Sequence, residues 1–264
     1  MTPARGCAFC QQTRKLGQEH YLAEHWRGKF GQPLSGPTGY HHWDVDSGRN
    51  KTGVREKLHF SEKGGTVCEG CNSGWMSRLE AAVTPLISAA AWPGPDGPTI
   101  SPSQAERETL LRWAAKTSIV MEEGHDGAKL TPRSLISAVQ NDETLEGFHA
   151  WMRPLWPCPV WGKGTRDAVV PIEGRSHHVR LSLFSISRCL VVTMHGSEGD
   201  ADWWSAVEPK CWLGPELVEA AHLPTGTNVP SDGGPFALRP IKERIHVRML
   251  RRVGVDPYVD PPGN

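Results

Sequence analysis

The sequence predicts an α+β protein with a metal-binding unit at its N-terminus, then a helical segment, then a small β-rich C-terminal region. Three patterns lead to this fold class. Two Cys-x-x-Cys pairs, Cys7 with Cys10 and Cys68 with Cys71, lie in the first part of the chain. Apolar residues recur at helical spacing between residues 75 and 139, and beyond about residue 155 they follow strand-like patterns.

The two cysteine pairs predict a structural zinc site. Two such pairs supply the four sulfurs of a closed tetrahedral site. Four thiolates leave no position for water or substrate, so this zinc would stabilise the fold and take no part in catalysis. The 57 residues between the pairs far exceed the roughly 15–20 of a compact zinc ribbon, which indicates an inserted element.

The composition limits the class of protein. With 264 residues, the chain exceeds the usual domain size of roughly 100–200 residues, so we expect more than one unit. The sequence has no signal-peptide core and no apolar run of membrane-spanning length, so we expect a soluble, cytoplasmic protein with reduced thiols. The formal net charge is 0, which argues against a general nucleic-acid coat protein, but residues 1–92 carry 11 basic against 8 acidic side chains.

The insertion between the cysteine pairs is expected to be a loop followed by a hairpin. Residues 31–57 are rich in glycine, proline and charge, which favours a loop that orders when a partner binds. His41-His42-Trp43-Asp44 lies within it, and adjacent histidines without a third spaced ligand are more often surface residues than a metal site. Val54–Phe60 and Gly65–Cys68 have strand character and should pair as a hairpin that leads into the second cysteine pair.

A helix is expected to start at Trp75. Pro85 should produce a kink or a new helix start near Thr84, because proline lacks an N–H and clashes with the preceding turn. Residues 92–98 are rich in proline and glycine and form a plausible domain boundary.

Two further helices are expected beyond this boundary. The first is capped by Ser101, with Pro102 and Gln104 in its first turn, and ends near Gly124. The second begins at Thr131-Pro132. Each should present one apolar face to the core. The inward residues are Leu110, Trp113, Ala114, Thr117, Val120 and Met121 in the first, and Leu135, Ile136 and Val139 in the second.

The C-terminal region is expected to be β-rich with a loose tail from Pro257. Residues 179–184 alternate in character and residues 189–194 form an apolar run, which predicts a hairpin around Ser187-Arg188. No pattern in this region indicates chemistry, so substrate positioning or partner contact is its most economical role.

Several motifs together resemble a known family. Cys7 and Cys10 are followed by Leu16-Gly17-Gln18-Glu19-His20, and the second pair runs directly into Asn72 and Trp75-Met76-Ser77-Arg78-Leu79-Glu80. This resembles the zinc-binding branch of the HNH endonucleases of bacteria and phages, which have a treble-clef ββα-metal fold. The resemblance covers about residues 5–90. It implies an HNH-like nuclease domain over residues 1–92, followed by a helical segment over 93–155 and the β-rich region over 156–264.

The resemblance also implies a reaction. The protein would be a metal-dependent endonuclease that hydrolyses DNA phosphodiester bonds in a bacterial cell or a phage-infected host, in defence, genome mobility or phage DNA processing. His20 would be the general base that activates water, which neutral imidazole can do at cellular pH. Glu19 and Asn72 would hold a catalytic Mg²⁺ or Mn²⁺ through oxygen. The partner would be DNA and not a membrane.

Three alternatives accompany these assignments. Glu24-His25 is a second acid–His doublet, but the leucine before Glu19-His20 matches the family's lead-in. Asn72 is equally suited to cap the following helix. The protein could also be a catalytically inactive treble-clef zinc module that binds DNA or a protein, or, as a minor possibility, a zinc redox switch.

The sequence departs from the family pattern at three positions. Glu19 stands where the commonest form has aspartate, and Ala23 stands where the family has proline. The asparagine that orients the base has only Asn50 or His59 as candidates.

Overall fold

A computed structural model describes thirteen parts of the chain, residues 6–13, 15–23, 26, 38–44, 49–55, 63–91, 102–123, 130–154, 160–172, 175–186, 189–197, 221–223 and 258–259. Helices and sheets are mixed, so the predicted α+β class is confirmed. The buried apolar side chains form a cluster that extends from Cys7 to Val191. Among the described helices, none combines the length and apolar character that crossing a membrane requires.

Two N-terminal strands pair across the insertion between the cysteine pairs. Strand β1 (Leu16–His20) pairs antiparallel with β4 (Lys63–Cys68), with Leu16 opposite Cys68 and His20 opposite Lys63. Residues 56–62, which include most of the strand expected to form a hairpin with Gly65–Cys68, lie outside the described part, so that hairpin stays a prediction. Pairing β4 with β1 brings the two cysteine pairs together, which a hairpin with the preceding segment would not do.

The insertion contains a β-ribbon where a loop was expected. Strand β2 (Thr38–Asp44) pairs antiparallel with β3 (Arg49–Arg55), so His41-His42-Trp43-Asp44 lies in a strand. The glycines that suggested a loop include Gly39 and Gly53, which sit at paired positions of the ribbon. Backbone pairing needs no side chain there, and the neighbouring tyrosine, tryptophan, threonine and valine favour strands.

The chain then turns helical without the expected break. A short helix α1 (Glu69–Cys71) is followed by a kinked turn (Asn72–Met76), in which Gly74 is non-helical with φ −90° and ψ −111°. Helix α2 (Ser77–Ala91) follows and continues through Pro85. Pro85 and Ala81 are both exposed. The carbonyl of Ala81, which loses its helical donor, can therefore bond to water, and the helix tolerates the proline.

Helix α3 (Gln104–Glu123) begins with a capping box formed by Ser103 and Glu106. The Ser103 N–H donates to Glu106 Oε2 at 2.7 Å, and the Glu106 N–H donates to Ser103 Oγ at 3.3 Å. Donation to Glu106 Oε2 from the Ser103 hydroxyl, at 2.7 Å, and then from the Ser103 N–H holds the pKa of Glu106 below its ordinary value. The predicted cap, Ser101, lies outside the described residues. The box forms at Ser103 because Ser-x-x-Glu allows reciprocal bonding.

Helix α3 is buried on several faces beyond Leu110, where a single apolar face was expected. It packs against α2 and β4 on the N-terminal side and against β5 and β8 of the C-terminal sheet. Polar residues are therefore enclosed as well as apolar ones. Ser118 Oγ lies 3.1 Å from Ser182 Oγ, and Glu122 forms a buried ion pair with Arg180.

Helix α4 (Arg133–Asn141) confirms the third predicted helix, with Leu135, Ile136 and Val139 buried. It ends at Asp142, which adopts the left-handed conformation with φ 64°.

The C-terminal region forms a six-stranded antiparallel sheet with the order β10-β6-β7-β8-β5-β9. The predicted hairpin is confirmed by the pairing of β7 with β8. The first strand begins at Phe148, earlier than expected, and the last lies in the tail that was expected to be loose, where it pairs with Trp161 and Val160. The strands are β5 (Phe148–Pro154), β6 (Val160–Ile172), β7 (Arg175–Ile186), β8 (Cys189–Gly196), β9 (Ala221–Leu223) and β10 (Tyr258–Val259).

Candidate metal centre

The two cysteine pairs converge. The Sγ atoms of Cys7, Cys10, Cys68 and Cys71 all lie within 4.8 Å of one another, and Cys10 Sγ is 3.5 Å from Cys68 Sγ. Tetrahedral zinc with Zn–S bonds of about 2.3 Å separates its sulfurs by about 3.8 Å. The four thiols therefore have the number, chemistry and spacing to hold an ion such as zinc.

The first cysteine pair is held in a tight turn. The Gln11 N–H donates to the Cys7 carbonyl at 3.0 Å, and Gln11 adopts a positive φ of 62°. Gly6 precedes this turn at a close approach, because a Cβ there would meet the Gln11 carbonyl oxygen at 2.6 Å. The Ala8 N–H donates to the Thr66 carbonyl at 2.8 Å and fixes the turn to β4.

The second pair sits where a strand becomes a helix. Cys68 ends β4 and caps α1, and its Sγ accepts a hydrogen bond from the Cys71 N–H at 3.4 Å. Amides at the start of a helix favour a negative charge, which suits a thiolate.

The thiols differ in acidity for identifiable reasons. Burial raises the pKa of Cys68, but the Cys71 amide and then the neighbouring thiols lower it to about 7 overall. Burial raises the pKa of both Cys10 and Cys71, and the indole of Trp75 acts in the opposite direction at Cys71. A metal cation must therefore displace protons from the cluster, which couples binding to pH.

Residues of the helical segment support the cluster. Arg133 donates to the carbonyl oxygens of Ala8 and Phe9, at 3.2 and 3.4 Å, inside the first cysteine turn. The Phe9 ring meets Trp75 edge-on, with centroids 5.0 Å apart, and the Arg112 guanidinium lies 5.6 Å from the Trp75 ring centroid. The cluster is thus packed between its own elements and helices α3 and α4.

Glu19 lies in a buried charge cluster. It is 5% exposed, and its Oε1 is 3.9 Å from Lys116 Nζ. Lys116 is fully buried and bonds directly to Glu80 Oε1 at 2.6 Å. The register of β1 and β4 shifts by one residue between Gln18 and His20, because Gln18 is opposite Thr66 and His20 is opposite Lys63. The extra residue of this irregularity therefore lies in β4 and not at Glu19.

His20 is half-buried at the end of β1 that lies away from the cysteines. His20 is paired with Lys63, whereas Cys68 is paired with Leu16. His20 is therefore four residues along β1 from the position that faces Cys68. At about 3.4 Å per residue, this separation is about 14 Å along the strand.

Asn72 is exposed and immediately follows the cluster. Cys68 is the N-cap of α1, whereas Asn72 is its C-cap, and the Asn72 N–H donates to the Glu69 carbonyl. Its carbonyl accepts a hydrogen bond from the Ser77 N–H.

The structure thus brings together the four cysteines, and it places Glu19 beside Glu80. Glu24, His25 and His59 lie outside the described residues, and Asn50 is in β3 opposite Trp43.

Lys116 and Glu80 were not predicted to belong to the site. Glu80 ends the stretch from Trp75 to Glu80 that contributes to the family resemblance. Nothing in the sequence around Lys116 distinguishes this lysine from a solvated helix residue.

Comparisons with protein-family models, with curated proteins and with solved structures found no match to this chain.

Proposed function

We propose that the N-terminal unit is a zinc-stabilised, HNH-type treble-clef module, and that the protein is a metal-dependent endonuclease acting on DNA. The observation that carries the proposal is the convergence of four cysteine sulfurs within 4.8 Å, contributed by a tight turn and by a strand-to-helix junction. A turn, an antiparallel strand pair and a helix around four cysteines are the parts that such a module needs.

The strand β1 carries the chemical groups of the proposal. His20 acts as the general base, because its imidazole is half-buried and can accept a proton from water near neutral pH. Glu19 and Asn72 would hold Mg²⁺ or Mn²⁺, and the ion would supply electrostatic stabilisation for the negative charge that develops during phosphodiester hydrolysis.

A second candidate function is a catalytically inactive zinc module that binds DNA or a protein. The placement of Glu19 favours it, because this carboxylate is buried beside Lys116 and Glu80. A lysine near the acid offsets the negative charge that would attract a divalent ion. In this case Glu19 stabilises the packing of β1 on α2 and α3.

One assay separates the two candidates. Purified protein is incubated with supercoiled DNA and Mg²⁺ or Mn²⁺, next to His20→Ala and to a matched control, His178→Ala, which removes an exposed histidine from β7. The nuclease proposal predicts nicking that His20→Ala reduces by about 10²-fold or more and that His178→Ala leaves unchanged.

Nicking that survives His20→Ala would overturn His20 as the general base, and the absence of nicking with either ion would overturn the nuclease and favour the binding module. Glu19→Gln tests the metal ligand separately. The proposal predicts a loss of nicking that higher Mn²⁺ partly restores, and an unchanged dependence on metal would remove Glu19 from the site.

A further inference from the structure

The β2–β3 ribbon separates its charged residues onto one face. The register sets Thr38 opposite Arg55, His42 opposite Lys51 and Asp44 opposite Arg49. Directly paired residues of an antiparallel ribbon share a face, and successive residues alternate between faces. The charged positions of both strands, Asp44, Arg49, Lys51 and Arg55, therefore share one face.

The opposite face of the ribbon has no charged position. It carries the pairs Gly39 with Val54, His41 with Thr52 and Trp43 with Asn50. This division depends on the register, since a shift of one residue would distribute the charges over both faces. The charged face has a net positive charge, because it carries three basic residues (Arg49, Lys51 and Arg55) and one acidic residue (Asp44).

The chain connects the β2–β3 ribbon to the end of the β1–β4 strand pair at which His20 lies. The chain leaves β1 after His20 and enters β4 at Lys63, and these two residues are paired. The whole insertion, which includes the ribbon, is therefore attached at the His20 end of the β1–β4 strand pair and not at the end beside the cysteine cluster.

We propose that the charged face of the β2–β3 ribbon binds the phosphate backbone of duplex DNA. This contact would position the DNA at the His20 end of the β1–β4 strand pair. This inference rests on the proposed action on DNA. A two-stranded ribbon fits the major groove of B-DNA, and basic residues supply affinity that is independent of sequence. Asp44 and Arg49 occupy paired positions whose formal charges cancel, so Lys51 and Arg55 carry the net positive charge of this face and are proposed as the principal phosphate contacts.

The test measures duplex binding as a function of salt. Fluorescence anisotropy with a labelled DNA duplex is recorded without Mg²⁺ for His20→Ala and for the same protein carrying Lys51→Gln and Arg55→Gln. Losing two phosphate contacts should weaken binding and reduce the slope of log K against log salt by about 2. The exchange Lys51→Arg with Arg55→Lys should retain the parent slope.

A matched control removes two other basic residues. Lys15→Gln with Arg78→Gln eliminates the same amount of charge from exposed positions outside the ribbon, and the slope should stay at the parent value. An equal loss in this control, or an unchanged slope in the ribbon variant, would overturn the proposal. Absence of duplex binding, or stronger ribbon-dependent binding to single-stranded DNA or to RNA, would overturn it too.

The outcome is distinguishable from that of the nuclease assay. The unsubstituted protein could fail to nick DNA while the ribbon substitutions reduce the salt slope of the His20→Ala protein. In that case the ribbon inference stands and the nuclease proposal falls. The unsubstituted protein could instead nick DNA while the ribbon variant keeps the salt slope of the His20→Ala protein. In that case the nuclease proposal stands and the ribbon inference falls.

Discussion

Lys116 Nζ lies 2.6 Å from Glu80 Oε1, and both side chains are withdrawn from solvent. The pair joins helix α3 to helix α2, and Glu19 of β1 approaches the same ammonium at 3.9 Å. Three elements therefore meet at one buried cation. Removing one partner of a buried ion pair is costly, because the remaining charge is left without water or a counterion.

Replacing Lys116 should destabilise the protein strongly. Lys116→Met leaves two buried carboxylates without their cation, and we expect a loss of about 3–5 kcal/mol in the free energy of unfolding, measured by urea denaturation. Adding Glu80→Gln should recover part of this loss, because it removes one of the uncompensated charges.

The control for Lys116 is the surface pair of Lys15 with Glu69. These side chains are 79% and 63% exposed and lie 3.0 Å apart. Lys15→Met should change stability by less than about 1 kcal/mol, since exposed ion pairs contribute little. Equal effects of Lys15→Met and Lys116→Met would show that Lys116 does not hold the three elements together.

Gly6→Ala should disturb the first cysteine turn. The added Cβ would lie 2.6 Å from the Gln11 carbonyl oxygen, a backbone atom that cannot move without opening the turn. We expect a cost of about 1–3 kcal/mol in unfolding free energy, together with weaker zinc retention in a chelator competition.

Gly17→Ala provides the comparison for Gly6→Ala. A Cβ at Gly17 meets no atom within 4 Å, so zinc retention and stability should be preserved. If Gly6→Ala retained zinc as well as Gly17→Ala does, the turn would not depend on the close approach at Gly6.

Zinc affinity should increase with pH. Burial raises the pKa of Cys10 and Cys71, so these thiols carry protons near neutral pH that zinc must displace. Each displaced proton contributes a tenfold step, and we expect affinity to increase at least about tenfold per pH unit between roughly pH 6 and 8. Competition with a chelator of known affinity provides the measurement.

Two cysteine variants test the origin of this pH dependence. Cys71→Ser should lower the affinity and reduce the pH dependence, because it removes one displaced proton. Cys189→Ser should change neither, since Cys189 lies in β8, is fully buried, and has a pKa raised by burial to about 12. An affinity that does not vary with pH would contradict binding by these thiols.

The sequence was sufficient to predict the features that depend on local patterns. The equal spacing within the two cysteine pairs predicted their convergence, because ligand spacing is a local signature of a metal site. The helical periodicity around Val139 and the hairpin between β7 and β8 were predicted for the same reason.

Long-range pairing was not predictable from these patterns. Nothing local indicates that β4 pairs with β1 across the insertion, or that the glycine-containing segment forms a ribbon. Lys116 has the local surroundings of a surface helix residue, and it is buried only because the N-terminal unit and the C-terminal sheet both pack on α3. The burial of Glu19 follows from the same packing.

The most direct test of the account is zinc K-edge X-ray absorption on the purified full-length protein. The four converging cysteines predict about one zinc per chain with four sulfur neighbours at about 2.3 Å and no nitrogen or oxygen ligand. Fewer than four sulfurs, or a protein that retains no zinc when purified without chelators, would contradict the account.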